Sequence, residues 1–224
     1  MMPVSVEIRR GTARFLTRGE GHITRHSFSF GPHYDPDNVG FGRLVCHDDH
    51  LLGPGRGFED HPHRDVDIVT WVLTGALQHS DSEGHTGVVR PGEVQVLSAG
   101  SGVTHAEVAG PDGPTRFVQA WLTPDVLGVE PAYAVTPVDP VPGELTEVAR
   151  IGDATFRVAR LAAGDTVTLP DEPLLHVYVA SGALVRSSMA EPLSEGDAFR
   201  MRDEREHAVT AAVPTDLLVW SFSR

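Results

Sequence analysis

The chain has 224 residues, 40% hydrophobic and 22% charged, which excludes the disordered class and leaves room for two domains of about 100 residues each. The formal net charge is −13 and every basic residue is Arg, with no dense basic cluster, so unaided nucleic-acid binding is disfavoured. No apolar run reaches the ~18 residues of a membrane helix, the start MMPVSVEIRR lacks the apolar core of a secretory signal, and the lone Cys46 cannot close an intramolecular disulfide. The expectation is a cytoplasmic monomer that engages no membrane.

Taken in chain order, short β-branched and aromatic runs are separated by Gly- and Pro-rich turns. They are VDIVTWVL from Val66, GEVQVLSAG from Gly92, TRFVQAWL from Thr115, TVTLP from Thr166, LLHVYVA from Leu174 and DLLVWSF from Asp216. That pattern predicts an all-β chain with little helix. Between Pro131 and Pro142 lie four prolines and few apolar runs, which suggests a linker. The expected domains are 1–130, a linker over 131–144, and 145–224.

Sliding one half over the other by just over a hundred residues aligns TWVLTGAL with HVYVASGAL. Gly75 then matches Gly182, Trp71 matches Tyr178, and Gly92 matches Gly196. The halves are expected to be two antiparallel β-barrels on one plan.

Chemistry concentrates in two places. GRGFEDHPHRD runs from Gly55 and carries His61 and His63; SAGSGVTHAE runs from Ser98 and carries His105 and Glu107. Both pairs have i, i+2 spacing, which puts each pair on one face of a strand. Three imidazoles and one carboxylate suit Fe, Mn, Co, Ni, Cu or Zn better than Ca or Mg. Four such donors leave open positions on a six-coordinate ion, as a catalytic or sensing site requires. A single buried His is more often just hydrogen-bonded; two matching pairs are what lift these four above that reading. His22, His33, His47, His50, His79 and His85 form no matching pair and read as ordinary polar residues or pocket lining.

Gly55, His61-x-His63 and Gly75 are close to the first motif of the cupin superfamily. RHSFSFGPHYDP, GFEDHPHRDVDIVTWVLTGALQHSDS, GEVQVLSAGSGVTHAE and FVQAWLTP resemble the pirin family within it, in order over residues 25 to 124. The second half is similar to the second domain of the shorter microbial members, but only weakly. The resemblance implies a bicupin of two double-stranded β-helix barrels with one metal site, usually iron, whose ligands fall on His61, His63, His105 and Glu107. Asp67 stands where the general cupin motif has Glu, and two extra residues separate Gly92 from His105. In pirin-like sequences the second motif supplies the carboxylate, here Glu107. In the second half the first pair falls on Thr168 and Pro170, so no second metal site is expected; His207 and His176 are left without a role.

Resemblance to microbial pirins implies dioxygenation of a flavonol such as quercetin. A divalent ion with three neutral imidazoles and one carboxylate carries net charge +1 and attracts an enolate oxygen. Glu107 is the natural acceptor of the enol proton. Phe28, Phe30, Trp71 and Trp121 are candidate walls for a flat ligand, against the plainer reading of core packing; His26 and Gln119 are candidate hydrogen-bonding groups. The alternative is an iron-dependent regulatory module that binds a transcription factor or metabolic enzyme without turnover.

Overall fold

The computed structural model describes residues 5–186 and 190–223. Twenty-one strands and one 3-10 turn, Gly11–Ala13, make up its regular structure. The chain divides into two compact units, one from Phe15 to Val138 and the other joining the residues up to Arg14 with those from Asp139 onward.

In the Phe15 to Val138 unit a seven-stranded antiparallel sheet runs in the order Ala132–Pro137, Glu93–Ser98, Asp67–Thr74, Thr115–Leu122, Leu44–Leu52, His22–His26, Phe15–Gly19. A four-stranded sheet runs Gly57–His63, Val103–Ala109, Leu77–Asp81, Thr86–Val89. Alternation along the Asp67–Thr74 strand sends Val72, Thr70 and Ile68 to one face. Val72 joins Leu52, Leu77, Val89, Ala109 and Phe117 in one apolar cluster that draws on both sheets. Ile68 joins Leu97, Ala99 and Val103 in another. Between them lies a polar row in continuous cross-strand register: His26 opposite Asp48, Asp48 opposite Gln119, Gln119 opposite Thr70, and Thr70 opposite Gln95. A buried polar row survives only if its members find partners.

Neither sheet closes on itself, which corrects the expectation of two barrels. Both strand orders are linear, and each sheet ends in strands paired on one side only. The free edges explain why. Pro62, in the Gly57–His63 edge strand, has no N–H to offer a further neighbour. Thr17 from one free edge and Phe58 and His61 from the other line the same cavity, so the gap between edges is occupied by binding space instead of a ladder.

The other unit holds a six-stranded antiparallel sheet in the order Val6–Arg9, Ala198–Arg202, Leu174–Ser181, Thr215–Phe222, Ala154–Leu161, Thr146–Ile151, with two short two-stranded pairs. It is likewise open. One apolar cluster of its core includes Leu175, Val177, Phe199, Leu217 and Val219. The stretch expected to link the domains contains the Ala132–Pro137 strand, paired with Glu93–Ser98. Pro131 and Pro137 sit at the ends of this edge strand, where a missing N–H costs little.

Gly75 and Gly182 carry the internal repeat into three dimensions. Both have φ near +80°, and an added Cβ would meet the carbonyl oxygen of Pro114 at 2.6 Å in one case and that of Pro214 at 2.2 Å in the other. The following residues match as well: Ala76 N–H donates to Thr115 Oγ1 at 3.1 Å, and Ala183 N–H to Thr215 Oγ1 at 3.1 Å. Each turn requires glycine for the same two reasons, left-handed backbone and close approach.

Candidate metal centre

The Gly57–His63 and Val103–Ala109 strands pair antiparallel with His105 opposite His61 and Val103 opposite His63. Between His105 and Glu107 the register shifts, because three steps from Phe58 to His61 face two steps from Glu107 to His105. A bulge of this kind re-aims side chains. Here the imidazoles of His61, His63 and His105 meet with ring centroids 4.5, 4.8 and 4.9 Å apart. One nitrogen from each lies within 4.8 Å of the others.

Their hydrogen bonding leaves nitrogens available. His61 Nδ1 donates to the Glu59 carbonyl at 2.7 Å, which leaves Nε2 as a lone pair. His63 Nε2 is buried without a hydrogen-bond partner, and so are both nitrogens of His105, which is wholly buried. Burial, and then repulsion from His61, hold the His63 imidazole at about 4. Burial, followed by His61, His63 and His79, holds His105 at about 3. Both rings are therefore neutral at physiological pH, the state a metal needs. Orphaned, neutral, converging imidazole nitrogens fit a transition metal.

Glu107 faces the same space from the next inward position of its strand. It is 1% exposed. Gln95 Nε2 donates to Oε1 at 3.0 Å and Gln119 Nε2 to Oε2 at 2.7 Å. Burial raises the carboxyl above its usual value, against these two bonds and the fields of His79 and His61. Each oxygen keeps a further lone pair for a metal or a proton.

The carboxylate groups spatially with His79 and His105 and not with the whole histidine trio, so two donor groups share His105. His79 escaped the sequence reading. Its signal was the His79-x-Asp81 spacing, the same period of two, on a strand whose register sets His79 opposite Glu107 and Asp81 opposite His105. His79 Nε2 lies 3.1 Å from Asp81 Oδ2, and its Nδ1 is buried without a partner. The ring stacks on Tyr133 at 4.3 Å. Burial, then the charges of Glu107, Asp81 and Glu93, push the Tyr133 phenol up to about 12.

Asp67 is engaged elsewhere, accepting from Ser98 Oγ at 2.7 Å. His207 pairs with Glu204 at 2.8 Å, and His176 is buried in the Leu174–Ser181 strand. Among the described residues, both groups of three metal-capable side chains lie in the Phe15 to Val138 unit.

A cavity of about 520 Å³ adjoins the centre and is lined by His61, Glu107, Gln119, Phe30, Phe58 and Trp121 among others. That size admits a drug-sized ligand. Of the four aromatic residues expected to wall it, Phe30 and Trp121 do; Phe28 and Trp71 are buried at 1% and 3% exposure and are absent from the lining. Phe58 takes part instead.

Open antiparallel sheets of the cupin type, with histidines of two paired strands gathered beside a glutamate, define a class of metal-binding proteins. Within that class the chain belongs to the pirin family, whose profile, described as Pirin, matches residues 8–122. Rv0181c of Mycobacterium tuberculosis is 41% identical over 99% of this chain and 96% of its own length. A quercetin 2,3-dioxygenase of Escherichia coli O157:H7 is 32% identical over 88% of this chain and 90% of its own. The crystal structure of YhhW from Escherichia coli superposes with a TM-score of 0.89 at 26% identity over 97% of each chain. A further structure of that bacterial pirin holds nickel(II) and superposes with a TM-score of 0.88 at 24% identity.

Proposed function

We propose that the protein is a metal-dependent oxidoreductase, a dioxygenase acting on a flavonol such as quercetin, with a divalent transition ion held by His61, His63, His105 and Glu107. The observation that carries this reading is the trio of converging imidazoles with unsatisfied nitrogens, set beside a buried carboxylate and an aromatic-walled cavity. The family supports it, since relatives of similar length bear the name of that enzyme. Iron is the metal we assign first.

When bound, the ion would supply Lewis acidity toward an enol oxygen and electron exchange with dioxygen. The protein's own groups do the rest. Trp121 and Phe30, with centroids 5.3 Å apart in an edge arrangement, present an apolar surface to a flat ring. Glu107 accepts the enol proton; the amides of Gln95 and Gln119 hold its oxygens in place while it does so.

The test is oxygen uptake and loss of quercetin absorbance with protein loaded with iron to one equivalent. Consumption of both in step is expected. Fully loaded protein that leaves quercetin unchanged in air would overturn the assignment for this substrate and favour the regulatory module.

A further inference from the structure

The cavity holds a second polar group that the proposed reaction does not use. His26 and Asp48 face each other in register on neighbouring strands and are buried at 4% and 3% exposure. His26 Nδ1 lies 2.6 Å from Asp48 Oδ2. A carboxylate only accepts, so Nδ1 carries the proton, and in the neutral ring Nε2 is then an acceptor. Thr17 Oγ1 stands 2.9 Å from that nitrogen and 3.2 Å from His33 Nε2. Thr17, His26 and Asp48 all line the cavity shared with His61 and Glu107.

Ring contacts fix where this group lies relative to the metal centre. His63 meets Trp121 at 4.7 Å, Trp121 meets Phe30 at 5.3 Å, and Phe30 stacks on His26 at 5.3 Å. Two apolar rings thus stand between the imidazole cluster and the buried dyad. A planar ligand lying along Trp121 and Phe30 with one end at the cluster brings its other end to Thr17, His26 and Asp48. An apolar end there would leave these groups paired only with one another, whereas a hydroxyl would add hydrogen bonds to them.

We propose that Thr17, His26 and Asp48 form a remote subsite that accepts a phenolic hydroxyl. The natural ligand is then a flat polyphenol with an enol at one end and a ring hydroxyl at the other. The inference rests on the proposed function only in placing the ligand in this cavity. The ligand O–H donates to His26 Nε2, and the hydroxyl of Thr17, freed from that nitrogen, turns to the ligand oxygen. Asp48 is a positioning residue: it sets the tautomer of His26 and does not itself meet the ligand hydroxyl. This arrangement selects by the hydrogen bonds a hydroxyl adds, which an apolar end cannot make.

The experiment titrates metal-loaded protein, without oxygen, with quercetin and with 3-hydroxyflavone, which keeps the enol end but has no remote hydroxyl; quenching of tryptophan fluorescence reports binding. Wild type is expected to prefer quercetin by about 10-fold. His26→Gln and Thr17→Val are expected to lose that preference while 3-hydroxyflavone affinity moves less than about 2-fold. Thr17 lies on an edge strand, so Thr17→Val keeps the test open if His26→Gln fails to fold. Equal weakening of both ligands in the variants, or no wild-type preference, would overturn the subsite. Preference without oxygen uptake in air would leave the subsite standing and overturn turnover alone.

Discussion

Gln119 Nε2 donates to Glu107 Oε2 at 2.7 Å, and a third side chain sets the direction of that bond, because Trp121 Nε1 donates to Gln119 Oε1 at 2.9 Å. Gln95 Oε1 accepts from the Tyr133 hydroxyl at 3.2 Å. Gln119 therefore turns its NH2 group to the carboxylate by necessity, since an indole N–H only donates, whereas the acceptor-only carboxylate itself orients Gln95. Gln119→Leu removes one donor from a buried carboxylate and strands the indole N–H. The expected cost is roughly 1–3 kcal/mol of stability for each group left unpaired and about 10- to 100-fold in metal affinity. Chemical unfolding and a chelator competition would measure them. Unchanged values in both would mean the amides merely fill space.

Two donor groups share His105, and variants separate them. Alanine at His61, His63 or His105 is expected to abolish stoichiometric metal and with it the rise in Tm that metal gives the wild type, a gain set by the ratio of free metal to Kd. His79→Ala is expected to keep the metal, since His79 is tied to Asp81. Elemental analysis alongside thermal unfolding decides this. Loss of metal in His79→Ala with retention in His61→Ala would move the ion to the group of His79, His105 and Glu107.

Part of the centre was legible because period-two spacing survives translation into strands: His61, His63 and His105 needed only two adjacent strands to meet, while Glu107 groups with His79 and His105. The same rule would have found His79-x-Asp81, but a lone His in LQHSD carries no metal signal until the register with Glu107 is known. The polar row from His26 to Gln95 was hidden for a like reason, since its five members come from five strands and are neighbours only in register. All-β content followed from turn spacing, whereas closure did not. Whether a sheet closes depends on what its last strands do, and in the Phe15 to Val138 unit a proline lies on one free edge and a cavity is lined from both. Residues up to Arg14 join the other unit through pairing of Val6–Arg9 with Ala198–Arg202, a contact no local pattern announces.

His50 supplies a pH dependence distinct from that of the metal. Burial lowers its imidazole from 6.5 to about 4, overcoming the nearby carboxylates of Asp48 and Asp49; Thr24 Oγ1 lies 2.8 Å from its Nδ1. The unfolded chain takes up this proton first, so the folded state is undisturbed above pH 6.5 and loses stability as pH falls from 6.5 to about 4. The slope is about 1.4 kcal/mol per pH unit, roughly 3 kcal/mol in all. In metal-free protein His50→Gln is expected to be flatter than wild type across that window and parallel to it above. Parallel curves throughout would show that His50 does not titrate with unfolding.

Glu107→Gln is the substitution that separates holding a metal from taking a proton. A glutamine keeps an oxygen donor but cannot accept the enol proton. Its amide oxygen accepts from Gln119, which the indole N–H locks with its donor facing position 107, and its NH2 group then meets the NH2 of Gln95 unless that amide turns over to donate to Tyr133. Where Gln95 does not turn, one donor goes unpaired at a cost of roughly 1–3 kcal/mol. The expected variant folds less stably, binds metal more weakly and, once saturated with metal, turns over quercetin at least about 100-fold more slowly, the usual scale for a lost general base. Saturation is essential to the comparison, since it removes weak binding as a cause. Rates are best compared after elemental analysis shows one equivalent in both proteins. A saturated Glu107→Gln protein with normal turnover would keep the enzyme and remove Glu107 as its base, leaving the carboxylate as a ligand alone.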